Sequence, residues 1–142
     1  MGLDNGILVK FKNEPTEKEK IALQALGIEK NDGSEYYDVA YFRKFWGWRN
    51  SVLDIIGWLD LDGQETAIDI TALAVMRNQL AHFSVEDNWK DYEQKHERVN
   101  WIWDYDEYYS NMCVNAVRLD WLVEYWEKYP EDIEEVIFYD SY

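Results

Sequence analysis

Two segments carry the residue types from which a binding site could be built. Residues 42–50 read Phe-Arg-Lys-Phe-Trp-Gly-Trp-Arg-Asn. Arg43, Lys44 and Arg49 alternate there with Phe45, Trp46 and Trp48, and cations interleaved with rings can stack a nucleotide base and pair its phosphate. It is the one positive cluster along the sequence, so a small anionic ligand is expected here if anywhere. The plainer alternative is that Trp46 and Trp48 fall on inward helical stripes, with Arg49 beside them as a buried ion-pair partner for one of the many acids. The second segment is 101–109, Trp-Ile-Trp-Asp-Tyr-Asp-Glu-Tyr-Tyr. Asp104, Asp106 and Glu107 stand among Trp101, Trp103, Tyr105 and Tyr108. Not all of these rings can face inward. Exposed rings beside carboxylates suit a protein interface, the rings supplying contact area and the acids selecting a basic partner. These seven residues are the expected binding site, against the alternative of a ring-rich helix junction in a ring-rich core.

Other chemistries find little support. Two histidines, His82 and His96, are too few for a His-rich metal site, and no calcium-loop spacing occurs. The single cysteine, Cys113, excludes an intrachain disulfide and lies among apolar neighbours, as a buried thiol does. Seven scattered glycines make no phosphate-binding loop. No cofactor and no metal are expected. The segment Met-Arg-Asn-Gln-Leu-Ala-His-Phe holds Arg77, Asn78 and His82, and resembles over six residues the signature of HEPN-type ribonucleases, which are helical and metal-independent. That resemblance implies Arg77 as stabiliser of phosphate charge and His82 as acid–base group at a ribose 2′-hydroxyl. The plainer alternative is a helix C-terminus where His82 favours the dipole and Arg77 pairs with a carboxylate.

Charge argues against a nucleic-acid substrate. The 142 residues hold 14 Lys and Arg against 29 Asp and Glu, a net charge of −15. The excess is concentrated in residues 84–142, with five basic and sixteen acidic groups. Such a field repels phosphate backbones and anionic membranes and favours a basic partner; simple solubility is the alternative. Apolar residues at 47% and aromatics at 17% supply a core of large rings, so disorder is not expected. The opening lacks the pattern of a secretory leader, and no stretch reaches membrane-spanning length, so a cytoplasmic protein is expected.

The pattern predicts an α+β domain over 1–142, mostly helical, with four to five helices around a long central one. Strands are expected at 6–12 and 134–139, neighbouring one another in a small sheet. A helix over 16–26 should end at Gly27, and Asn31, Asp32 and Gly33 mark a turn. The central helix is expected over 36–60, with one stripe through Tyr41, Phe45, Trp48, Val52, Ile55 and Leu59. A second stripe runs through Val39, Phe42, Trp46, Leu53 and Ile56, so the helix should be covered on two sides. Residues 65–70 read as a strand, with one longer helix as the alternative. Helices follow at 72–83, capped by Thr71, at 86–100, and at 106–129, stopped by Pro130.

The opening Met1–Ile7, the block Phe42–Asn50 and the end Phe138–Tyr142 together resemble a group of small acidic proteins of bacteriophages and Firmicutes. No activity comes with the resemblance. Its context implies a host-takeover or counter-defence factor. The reading that follows is a non-enzymatic acidic protein that binds and blocks a basic, nucleic-acid-binding surface of a host protein. The alternatives are a ribonuclease acting through Arg77 and His82, and a nucleotide sponge at Arg43, Lys44 and Arg49.

Overall fold

The computed structural model describes residues 4–43, 46–57, 64–83 and 105–141. β1 (Asp4–Phe11) alternates Ile7, Val9 and Phe11, all buried, with Gly6, Leu8 and Lys10 on its other face. α1 (Glu17–Ala25) starts where the Thr16 hydroxyl accepts from the Glu19 N–H at 3.3 Å. It ends at Gly27, whose φ of 71° is the left-handed conformation that glycine reaches without strain. The Ile28 N–H reaches back to the Leu23 carbonyl and the Gly27 N–H to that of Gln24, while Leu23 and Ile28 are both buried. Together these form a Schellman stop. The short β2 (Glu29–Lys30) then turns through Asn31–Gly33 into β3 (Tyr36–Arg43).

α2 (Trp46–Ile56), β4 (Gln64–Ala67), α3 (Ile70–Phe83) and α4 (Tyr105–Lys128) follow, and a 3₁₀ turn at Pro130–Asp132 leads into β5 (Ile133–Ser141). The sheet is antiparallel throughout, in the order β2-β3-β1-β5-β4. The terminal strands β1 and β5 pair along their lengths, as expected from the sequence. Helices meet one face of the sheet. Leu73, Met76 and Leu80 of α3 and Met112, Leu119, Leu122 and Val123 of α4 join Ile7, Val9, Phe42 and Phe138 in a single core.

The α+β class stands, but the central helix does not. Residues 36–43 are a strand, and among the described residues of that span only 46–56 are helical. Tyr, Val, Ala and Phe in the run Tyr36–Phe42 favour a pleated surface, and that strand pairs with β1. The apparent helical stripe joined two elements. Val39 and Phe42 are buried because they lie on the strand, while Trp48 and Val52 are buried from the helix. Tyr41 points outward at 44% exposure. Leu53, Ile55 and Ile56 are half-buried against the core, and the side chain of Trp46 lies outside the described residues. The sheet is correspondingly larger than expected, five strands with the two terminal ones in its middle. The strand at 64–67 and the helices at 70–83 and 105–128 match the expected elements, except that Asp69, not Thr71, caps α3 by accepting from the Ala72 N–H at 2.7 Å. The expected helix over 86–100 lies outside the described residues.

Candidate functional site

Described residues of the opening, of the block at 42–50 and of the end of the sequence meet at one end of the sheet. Asn5 lies between Phe42 of β3 and Asp140 of β5 in one cross-strand row. The Phe42 ring packs on Trp48 with centroids 4.6 Å apart, and Arg49 Nε lies 3.1 Å from both carboxylate oxygens of Asp140. Arg49 and Asp140 are 7% and 1% exposed. This ion pair fastens α2 to the last strand, and Arg49 is thereby the buried partner of an acid rather than a solvent-facing phosphate ligand. Removing two charges from water costs several kcal/mol per ion, by order of magnitude, so the pair specifies the geometry more than it adds stability. Beside it, the Asn5 side-chain amide and the Trp48 indole N–H are buried with no hydrogen-bond partner among the described residues.

The opposite face of the sheet has different chemistry. Its rows carry Asp4, Gly6, Leu8 and Lys10 from β1, and Tyr36, Asp38 and Tyr41 from β3. β5 adds Glu135, Ile137 and Tyr139, and β4 adds Glu65. A Cβ on Gly6 would come within 2.7 Å of the Tyr139 hydroxyl, so the absence of a side chain there is what lets the Tyr139 ring lie across β1. Tyr36 donates to Glu135 at 2.6 Å and Tyr41 to Asp4 at 2.9 Å. Hydrogen bonding to Glu135 raises the Tyr36 pKa, and burial, with Asp38 and Asp4 nearby, raises that of Tyr139. Desolvation by burial pushes the Asp38 carboxyl above its ordinary range. Lys10 is shared by Glu35 at 2.9 Å and Glu134 at 3.0 Å, which hold its ammonium charged. Arg43 occupies the position opposite Asp4. The face therefore offers tyrosine rings interleaved with carboxylates.

The edge of β3 is closed by a side chain. Asn115 of α4 donates to the Tyr41 carbonyl at 2.9 Å and accepts from the Tyr41 N–H at 3.3 Å, taking the place of a neighbouring strand. Only the tertiary fold reveals this role.

Trp101, Trp103 and Asp104 lie outside the described residues. Tyr105, Asp106, Glu107 and Tyr108 form the first turn of α4, with side chains likewise outside them. Arg43 closes β3, while Lys44 and Phe45 are outside. On α3, Arg77 pairs with Asp120 at 3.6 Å and donates to Asn78 at 3.2 Å, which is the carboxylate pairing of the plainer alternative. His82 is exposed in the last turn of that helix. Cys113 is half-buried. Among the described residues no cluster of His, Cys, Asp and Glu could hold a metal ion, and no helix is long and apolar enough to cross a membrane. Comparison with known protein families, with curated proteins and with solved structures gave no match to the chain.

Proposed function

We propose that this protein is a non-enzymatic acidic binder that covers a basic surface of a partner protein, in the manner of a phage counter-defence inhibitor. The observation that carries the reading is the tyrosine–carboxylate face of the sheet. Asp4, Asp38 and Glu65 there form no ion pair among the described residues, and tyrosine rings accept arginine and lysine by cation–π contact. The net charge of −15 supplies long-range attraction to such a partner. The acids at Asp104, Asp106 and Glu107 would extend the same surface chemistry into the tail half, and the natural target is a protein surface that otherwise holds nucleic acid.

Capture from a bacterial lysate at low salt tests the reading, using the parent and two charge-reversal variants. One variant replaces Asp4, Asp38 and Glu65 by Lys, the other Asp104, Asp106 and Glu107. The reading requires a basic partner that competes with duplex DNA for binding and is lost from at least one variant. A partner held equally by both variants removes these patches. Metal-free RNA cleavage abolished by His82→Ala would replace the reading with a ribonuclease.

A further inference from the structure

Cations in this chain are scarce, and four of them are committed to carboxylates: Lys10, Lys20, Arg49 and Arg77 all form ion pairs. Lys18 and Lys128 form none among the described residues, yet both line one cleft of about 340 Å³ between α1 and the C-terminal end of α4. One wall of that cleft is a ladder of rings. Trp121, Tyr125 and Tyr129 recur at one helical turn, with centroids 5.2 Å and 5.1 Å apart. The Lys128 ammonium sits 5.4 Å from the centre of the Tyr129 ring.

Two carboxylates, Glu19 and Asp132, also line the cleft, near the Tyr125 hydroxyl. That hydroxyl donates to Asp132 at 2.8 Å, and burial together with the two acids raises its pKa. One oxygen of Asp132 is thereby engaged in the wall, and neither acid forms an ion pair with Lys18 or Lys128 among the described residues. Thr16 and Ala22 of α1 form the opposite side.

We propose that this cleft binds a small anion carrying a planar ring, of the nucleoside-monophosphate type, with the base against the ring ladder and the phosphate between Lys18 and Lys128. Sites for small ligands run from about 300 Å³ upward, so the volume suffices. The overall negative charge does not forbid it. At physiological ionic strength charges are screened over about 8 Å, so acids remote from the cleft weigh little, and the two that line it are offset by Lys18 and Lys128. The sequence combines cations with rings at 42–50; here the same chemistry is assembled from α1 and the far end of α4. The proposal does not depend on the acidic-partner reading, and either can fail alone.

Calorimetric titration and thermal unfolding with AMP test it, with adenosine, ribose 5-phosphate and inorganic phosphate as the partial ligands. AMP should bind and raise the unfolding midpoint, and each partial ligand should bind more weakly. Lys18→Glu with Lys128→Glu should weaken AMP by more than about tenfold, since charge-assisted contacts to phosphate are the strong ones. The same double variant should keep the parent's adenosine affinity and circular dichroism spectrum. Lys18→Gln with Lys128→Gln provides the milder pair should the reversal unfold the protein, and it should also weaken AMP. Three results overturn the proposal: no AMP binding at millimolar concentration, equal AMP affinity in parent and variants, or inorganic phosphate binding as tightly as AMP.

Discussion

Replacing Asp140 by Asn should destabilise the protein more than most single substitutions. The carboxylate is fully buried and receives Arg49 Nε at 3.1 Å on each oxygen. Asparagine keeps the shape but removes the negative charge that both of these contacts bring to the buried guanidinium. Breaking such a pair from one side costs about 3–5 kcal/mol. A domain has about 5–15 kcal/mol of stability in total, so this is a large fraction of it. Arg49→Met should cost a similar amount by taking the Nε contact away from both carboxylate oxygens. The double variant Arg49→Met with Asp140→Leu should recover to within about 1 kcal/mol of the parent or exceed it, because both desolvation penalties vanish together. The resulting non-additivity marks direct coupling. Urea unfolding at neutral pH of the parent, both single variants and the double variant measures all four terms. Asp140→Asn unfolding within about 1 kcal/mol of the parent would refute the reasoning, since the pair would then be solvated rather than buried.

Three further outcomes follow from the same contacts. Asn115→Leu removes the two hydrogen bonds that its side chain makes to the Tyr41 backbone and should cost about 1–3 kcal/mol in denaturant unfolding, beyond any change in apolar burial. Leu73→Ala, at a fully buried core position, should cost about 2–5 kcal/mol in the same assay. Asp38 has a folded pKa above its unfolded one, so the folded state binds its proton more tightly and stability declines as pH rises through that window, just above the ordinary aspartate range. Asp38→Asn should therefore raise the unfolding midpoint at pH 7 and flatten its dependence between mildly acidic and neutral pH; a lower midpoint at pH 7 would contradict this.

Local signals were legible in the sequence where one residue decides the backbone. Gly27 stops α1, Asn31–Gly33 turns the chain, Pro130 follows α4, and alternation marks β1 and β5. The helix over 36–60 differs from the structure because step patterns of three and four cannot distinguish one long helix from a ring-rich strand running into a shorter helix. In a segment this rich in rings every register looks apolar, and β3 is fixed only by pairing with β1. Arg49 was legible as an ion-pair partner from its place on the apolar arc, but Asp140 was not, because 91 residues separate the two. The tyrosine–carboxylate face draws on four strands and the ring-and-lysine cleft on α1 and α4, so no window of sequence contains either.

The central claim is that carboxylates on this protein meet cations on a partner, and the dependence of affinity on salt measures it most directly. With the captured partner purified, the dissociation constant is determined across a series of sodium chloride concentrations for the parent and for the Asp4, Asp38, Glu65 reversal to Lys. Ionic contacts are screened over about 10 Å at 0.1 M salt and about 3 Å at 1 M, so the account predicts that affinity declines steadily along the series. It also predicts that the reversal variant binds more weakly at low salt and shows a shallower dependence. An affinity that stays constant from low to high salt in the parent would contradict the account and point to an apolar interface instead.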